Sequence, residues 1–478
     1  LNRNAPQLKR VLGLSDLSFF LIAALVNLNS VPVVASAGPV ALILWLAGFF
    51  LFFIPQAIAV LELSQRSPNE GGIYIWNKKA WGDFHGFISG WAYWVNNIFY
   101  VPTLLFYIIG FIMFIGGSST ASLASNPIFM MGVSLGLLWI ITYLNIRGFG
   151  VGKWIQNLGA SGTFITAGTI LTIGIVTAVT RGASNEISVS AILPQLGNWQ
   201  FLALLSIVCL NYVGLELGSV IADEIKNPLK NIPRAVTIAG ISTVMLFLVV
   251  TSSLLIAIPY KEIGIIEGIL QGIEHAASSI GIGWIVFPVA ILMIMNAAGN
   301  TSAWLSGAAR IPFVIGIDKY LPGILGTIHT KYNTPHIALI VQGAASSVVI
   351  IVAAIGSTVG DMYLFLLQTT VVLQLIPYVY MFASLIKVRA TYGNSGGFFK
   401  SQIITLAAGI IGGCMTVFGI AFAFVPAESV SSILIYELKL IFSCVGFIIP
   451  ALIFYYLNSK KIKIREAAEI AVKKVSIN

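Results

Sequence analysis

The residues able to do chemistry in this chain are the polar ones that interrupt long apolar runs. Asn27-Leu28-Asn29-Ser30-Val31-Pro32 lies inside the first run, where the proline removes a backbone donor and restricts its predecessor, so a continuous helix is not expected there. Cys209-Leu210-Asn211-Tyr212-Val213-Gly214-Leu215-Glu216 interrupts a later run, joining an acid to a helix-weakening glycine and asparagine. Such breaks free backbone donors and carbonyls at membrane depth, where they can grip both ends of a zwitterion. The plain alternative is a pair of kinks relieved by neighbouring helices. Glu216 is costly in hydrocarbon unless paired, solvated or protonated, and it is read either as a coupling group or as a structural brace for the broken helix. Asn96 and Asn97, Asn296, Asn300, Thr301, Ser302 and Ser306, and Gln368 and Gln374 are candidates to line a wet path or to satisfy other helices. Glu62 closes its run and reads as an anchor.

The elements that position these residues follow from composition. Apolar residues make up 58% of the 478 positions and charged residues 9%, against about 25% charged in a soluble domain. The apolar runs approach or exceed the roughly 20 residues that cross a bilayer as a helix. Twelve segments are expected, at 15–35, 39–63, 84–115, 127–144, 153–178, 198–222, 234–258, 283–308, 336–356, 360–388, 401–424 and 431–457. They are numbered 1 to 12 below. Ile403 to Ile411 resembles a strand, but open sheet edges are not tolerated in hydrocarbon and a porin's alternation is absent. Segment 1 is expected to be retained rather than cleaved as a signal.

The two interruptions lie five segments apart, which suggests two structural halves that each begin with a broken helix. The expected organisation is a leader at 1–14, a first half at 15–178, a second at 198–388, two further spans at 401–457 and a basic tail at 458–478. Of the 26 Lys and Arg, all but Arg181, Lys261 and Lys439 fall on one side of this arrangement, so both termini are expected in the cytoplasm of a cell-membrane protein. The tail residues Lys460, Lys461, Lys463, Arg465, Lys473 and Lys474 follow a span directly, so the net charge of +9 reads as contact with anionic lipid rather than nucleic acid. Cys209, Cys414 and Cys444 fall within spans, and the histidines lack metal-ligand spacing, so neither disulfide nor metal nor other cofactor is expected. No nucleophile with its base is recognisable, which argues against an enzyme.

The connections on the basic side read as ordered structure. Trp76 to Trp94 mixes aromatics and charge as an interfacial helix would. Ala222-Asp223-Glu224-Ile225-Lys226-Asn227-Pro228 runs into Leu229-Lys230-Asn231-Ile232-Pro233-Arg234-Ala235, placing Asp223 and Glu224 where they can form ionic latches.

At these residues the sequence resembles the amino acid-polyamine-organocation transporters. The resemblance rests on Tyr212-Val213-Gly214-Leu215-Glu216 with the 222–235 loop, on Glu62-Leu63 through Pro68 to Gly71-Gly72-Ile73-Tyr74, and on Ala309-Arg310 through Asp318-Lys319-Tyr320-Leu321-Pro322. Pro32 to Gly38 followed by Phe53-Ile54-Pro55 looks most like the glutamate:4-aminobutyrate exchanger branch. The resemblance implies an all-α LeuT-type fold of inverted five-helix repeats plus two C-terminal helices, with an amino acid held between segments 1, 3, 6, 8 and 10. It also implies Tyr212 as a lid or wall. Two departures stand out. Asn27 and Asn29 replace the usual Gly-x-Gly region, and Gly162-Thr163 stands where some members carry lysine.

The expectation is alternating-access transport of an amino acid, by exchange or proton coupling, rather than passive conduction. Asn27, Asn29, Ser30, Asn96, Asn97, Asn211, Tyr212, Gly214, Asn300 and Gln368 are the candidate substrate residues. Glu62, Glu216, Asp223, Glu224, Thr163, Thr301, Ser302 and Ser306 are candidates for coupling or gating. The central spans hold no Lys or Arg to neutralise a second carboxylate, which favours a neutral amino acid. The branch resemblance favours glutamate or 4-aminobutyrate, and polyamine exchange is a further alternative. Sodium is expected not to be obligatory, although the carbonyls of segment 1 and the hydroxyls of segment 8 form a candidate site for it.

Overall fold

A computed structural model describes residues 8–117, 123, 126–186, 188–193, 199–279, 281–354, 359–425 and 433–475. The protein is all-α, and eleven helices among the described residues are long and apolar enough to cross a membrane, from Leu14–Ala35 to Leu440–Lys461. Large apolar side chains such as Trp154, Ile175, Trp284, Val352 and Phe442 cover their outer faces, as a hydrocarbon solvent allows and water would not.

Segment 6 is absent from the eleven because it is divided. Trp199–Asn211 ends in a turn, and helix resumes only for Leu217–Val220 and a 3-10 turn at Ala222–Glu224. Gly214 in the gap has φ +133°, a conformation that L side chains rarely adopt.

Segment 1 breaks as well, though not at its proline. Helix Leu14–Leu25 stops, Val26 and Asn27 are non-helical, and Leu28–Ser30 and Val31–Ala35 continue the crossing. Pro32 sits in the first turn of its short helix, where a missing N–H costs nothing. Segment 2 carries a wide π turn at Phe49–Phe53 between Ala41–Gly48 and Ile54–Arg66. Pro55 just beyond cannot donate to the preceding turn, which explains the local widening.

The expected interfacial helix at 76–94 is two elements. Gly82, at φ +91°, separates Gly72–Trp81 from Asp83–Gly116, which is segment 3 in full. Other helices run longer than expected, to Phe149–Arg181, Val359–Tyr392 and Ile433–Val475. Residues 198, 355, 356, 431 and 432 at the expected segment ends, and the side chains of Lys463, Arg465, Lys473 and Lys474, lie outside the described residues.

Inside the bundle, Asp83–Gly116 packs against Val359–Tyr392 and Val286–Ala308, and the latter lies along Phe149–Arg181. Two glycines permit that last contact. A Cβ on Gly159 would stand 2.9 Å from the Gly299 Cα and from the Met295 carbonyl oxygen. One end of the bundle gathers the basic connections. There the Val11 and Leu12 N–H groups donate to the Glu224 carbonyl at 2.9 and 3.0 Å, and Lys226 N–H returns to the Leu12 carbonyl at 2.9 Å. At the opposite end Asn185 Nδ2 donates to the Leu255 and Ile258 carbonyls at 2.6 and 2.8 Å.

Gly159→Val is therefore expected to destabilise by about 1–3 kcal/mol through overpacking, read as a lower melting temperature in detergent. Gly132→Val is the control, since nothing lies within 4 Å of its Cβ. Equal melting temperatures for the two variants would contradict the close approach.

Candidate functional site

The break in segment 1 leaves carbonyls that the helix no longer satisfies, and side chains of segment 8 take them. Trp304 Nε1 and Asn300 Nδ2 donate to the Ala24 carbonyl at 2.9 and 3.2 Å, and Asn296 Nδ2 reaches the Val26 carbonyl at 3.4 Å. Asn27 Nδ2 donates to the Tyr100 hydroxyl at 2.7 Å, which donates in turn to Asn300 Oδ1 at 3.3 Å.

The break in segment 6 is held from the other direction by a carboxylate. Glu216, fully buried, accepts from Gly214 N–H at 3.2 Å, Gln56 Nε2 at 3.2 Å, Tyr93 Oη at 2.9 Å and the Tyr378 hydroxyl. Tyr378 Oη also stands 3.1 Å from Gly214 N–H. This clasp joins segments 2, 3, 6 and 10, and its donors match an acceptor-only carboxylate.

Between the two breaks lies a cavity of about 10 Å³, room for about one water molecule. It is lined by Ala24, Leu25 and Asn27, by Asn96 and Tyr100, by Leu210, Asn211 and Val213, and by Trp304, Thr370 and Gln374. These come from segments 1, 3, 6, 8 and 10, and no charged side chain is among them. Tyr93 and Tyr378 sit one helical turn from Asn96 and Gln374, on the side of the basic end, so the Glu216 clasp closes the cavity on that side.

Of the substrate candidates, Asn27, Asn96 and Asn211 line this cavity. Gly214 and Asn300 hold its walls without lining it. Asn29 and Ser30 are buried and hydrogen-bonded to each other at 3.1 Å, and Asn97 Nδ2 returns to the Tyr93 carbonyl at 2.9 Å. Gln368 lies half-buried away from the lining. Tyr212 is neither lid nor wall of this cavity. Its hydroxyl donates to the Trp45 carbonyl at 3.0 Å and its ring packs among Trp45, Phe49, Phe53 and Phe247, because its N–H still bonds the Val208 carbonyl at 3.2 Å and it shares the Val208 face that packs on Gly48.

Among the coupling candidates, Thr163 Oγ1 donates to the Gly159 carbonyl at 3.0 Å and receives Asn296 Nδ2. Thr301 and Ser306 return to their own helix, bonding the Ala297 and Ala303 carbonyls at 2.7 and 3.0 Å. Ser302 instead meets Asn145 and Gln156. Glu62 is buried at the basic end, where it receives Arg66 Nε at 2.9 Å, Arg389 Nη1 at 3.1 Å and the N–H groups of Phe398 and Phe399 at 2.8 and 3.0 Å. Glu224 forms a two-pronged pair with buried Arg310, with Nη2 at 2.9 Å from Oε2. Asp223 contributes its N–H to Glu70 Oε2 at 2.9 Å.

Tyr100, Trp304 and Thr370 escaped the sequence reading as lining residues, and so did Gln56, Tyr93 and Tyr378 as partners of Glu216. A signal existed for the first three. Asn96 and Tyr100, Asn300 and Trp304, and Thr370 and Gln374 are each four apart, so each polar candidate had a partner one turn along the same helix face.

The profile of the amino acid permease family matches residues 12–450. The chain belongs to the amino acid permease family. Members of this family are membrane transporters of small amino-acid-like solutes and not enzymes. This permease is 27% identical to an uncharacterised transporter of Legionella pneumophila over 80% of its own length and 82% of the relative's. It is 24% identical to a "Probable agmatine/putrescine antiporter" of Lactococcus lactis, over 78% of this chain and 79% of that one. It is also 24% identical to a glutamate/gamma-aminobutyrate antiporter of Lactococcus lactis subsp. cremoris, over 94% and 91%.

At the basic end of the permease, Glu70 and Glu224 share one guanidinium. Arg310 pairs closely with Glu224 and stands 4.0 Å from Glu70. Burial, with Glu224 beside it, pushes the Glu70 carboxyl well above its ordinary value of 4.5. A raised folded-state value means that the group's stabilising contribution is complete below about 4.5 and is lost as pH rises through the folded-state value. Glu70→Gln keeps the acceptor for Asp223 N–H and removes the charge. It is expected to raise the melting temperature at pH 8 and to leave it nearly unchanged at pH 4.5; a gain independent of pH would contradict the raised value.

Proposed function

We propose that this permease is a secondary active transporter of the cell membrane that carries a neutral amino acid by alternating access, as an exchanger or with a proton. Segment 6 is its twelfth crossing in this reading. Residues 15–178 and 198–388 are then inverted five-helix repeats of LeuT type, residues 401–457 add two spans, and both termini face the cytoplasm.

The observation that carries the reading is the uncharged, amide-lined cavity between two facing helix breaks, closed on the basic side by the clasp on Glu216. A zwitterion has complementary donors and acceptors there in the side-chain amides and hydroxyl of the lining. The cavity is too small for an amino acid as it stands, so binding requires the walls to part, and rocking of one helix set against the other supplies that movement. The relatives' printed solutes include diamines and glutamate, but a diamine would find no carboxylate in this lining and glutamate no cation. Glu62–Arg389 and Glu224–Arg310 act as latches at the cytoplasmic end, and Glu216 as the inner gate.

Sodium is not obligatory in this account. The Ala24 and Val26 carbonyls, which would have to ligate a cation, already receive the N–H groups of Trp304, Asn300 and Asn296. The Thr301 and Ser306 hydroxyls are turned to their own helix.

Purified protein in sealed vesicles tests both parts. Saturable uptake of a labelled neutral amino acid, driven by unlabelled amino acid inside, is expected to persist when choline replaces sodium. Large unitary currents would overturn the transporter reading, and uptake abolished in choline but restored by millimolar sodium would overturn the coupling. Glu216→Ala is expected to slow this exchange at least about tenfold, since it strips several charge-assisted hydrogen bonds. Exchange at the original rate in the folded variant would reduce Glu216 to a passive brace.

A further inference from the structure

The cavity holds an arrangement of unpaired amides that points to a substrate side chain. Asn96 Nδ2 donates to Gln374 Oε1, tying segment 3 to segment 10, and that bond leaves Asn96 Oδ1 and Gln374 Nε2 without partners. Asn211 uses Nδ2 on the Ile207 carbonyl at 2.7 Å, leaving its Oδ1 unpartnered. Thr370 Oγ1 is likewise unpartnered. These four residues are no more than 3% exposed, and all line the same cavity.

Buried polar atoms without partners are costly, and a ligand that completes them is favoured over an isostere that cannot. The unmet set comprises acceptors on Asn96 and Asn211, a donor on Gln374 and a hydroxyl on Thr370. A carboxamide offers two N–H donors and one carbonyl acceptor, so it meets both kinds of demand. Exchanging O and N in the Asn96 and Gln374 amides still leaves one donor and one acceptor free, so the match does not depend on their orientation. An aliphatic side chain would leave every atom unmet. A carboxylate brings no donor, and an ammonium brings no acceptor and finds no counter-charge in the lining.

We propose that this site selects amino acids with a carboxamide side chain, glutamine or asparagine, with Asn96 and Gln374 as the specificity-determining pair. The substrate amide enters between them and replaces their mutual hydrogen bond with one bond to each. This inference rests on the reading of the cavity as the substrate site.

The test is competition by L-glutamine, L-asparagine, L-methionine, L-leucine, L-glutamate and agmatine against labelled L-glutamine, measured as binding to the detergent-purified protein and as counterflow in vesicles. Glutamine is expected to compete at least about tenfold more strongly than methionine, its apolar near-isostere, and than glutamate. Gln374→Met and Asn96→Leu are expected to erase the preference over methionine while methionine still binds. Equal competition by glutamine and methionine in the unaltered protein would overturn the inference and leave the amino acid site standing, and it needs no variant to fold. Preference retained in both variants would equally overturn it. If none of the amino acids binds or exchanges, the underlying reading falls and the inference with it.

Discussion

The structure depends on one constraint, that backbone polar groups at membrane depth need partners within the protein. Two helices give up their internal ladders, and what surrounds them is arranged to compensate. Trp304, Asn300 and Asn296 turn inward because the Ala24 and Val26 carbonyls are there to receive them. Glu216 is tolerated without a cation because Gly214 N–H and three side chains donate to it. The close contact of Gly159 with Gly299 then brings segments 5 and 8 near enough for Asn296 to reach both Thr163 and the broken backbone. The cavity is the space that these compensations leave over, which is why it is polar and uncharged.

Most of the Lys and Arg residues gather at one end, and there ion pairs connect distant parts of the chain. Glu62 with Arg389, Glu70 and Glu224 with Arg310, and Lys78 and Tyr74 with Asp318 meet across the basic end, with Lys78 Nζ 2.7 Å and Tyr74 Oη 2.6 Å from Asp318 Oδ2. Four of these contacts join residues before 80 to residues after 300. Removing one partner of a fully buried pair strands the other, at a cost of about 3–5 kcal/mol, so such contacts hold one geometry firmly or exchange it as a unit.

Much of this was legible in the sequence because hydrophobic length and polar interruption are one-dimensional signals. The crossings, the break at Gly214 and Glu216, and a discontinuity in segment 1 all follow from local chemistry. The position of the first break did not, because proline reads as a breaker while Pro32 occupies a first turn that accepts it. Tyr212 was given a lid or wall role by resemblance alone; its N–H still bonds the Val208 carbonyl at 3.2 Å, so its ring continues the helix face that packs on Gly48. Arg389 and Arg310 drew no attention as partners of Glu62 and Glu224 because 327 and 86 residues separate them. The i, i+4 pairs that build the cavity, Asn96 with Tyr100, Asn300 with Trp304 and Thr370 with Gln374, were legible from helical spacing.

The most direct test of the account is an experimental structure of the protein with a neutral amino acid bound. The ligand's ammonium and carboxylate are expected between Ala24–Asn27 and Leu210–Val213, with its side chain directed at Asn96 and Gln374 and the walls of the present cavity moved apart. Ligand density elsewhere, such as the lipid-facing groove of Phe164, Leu171, Met245 and Val249, with the central cavity unchanged, would contradict it.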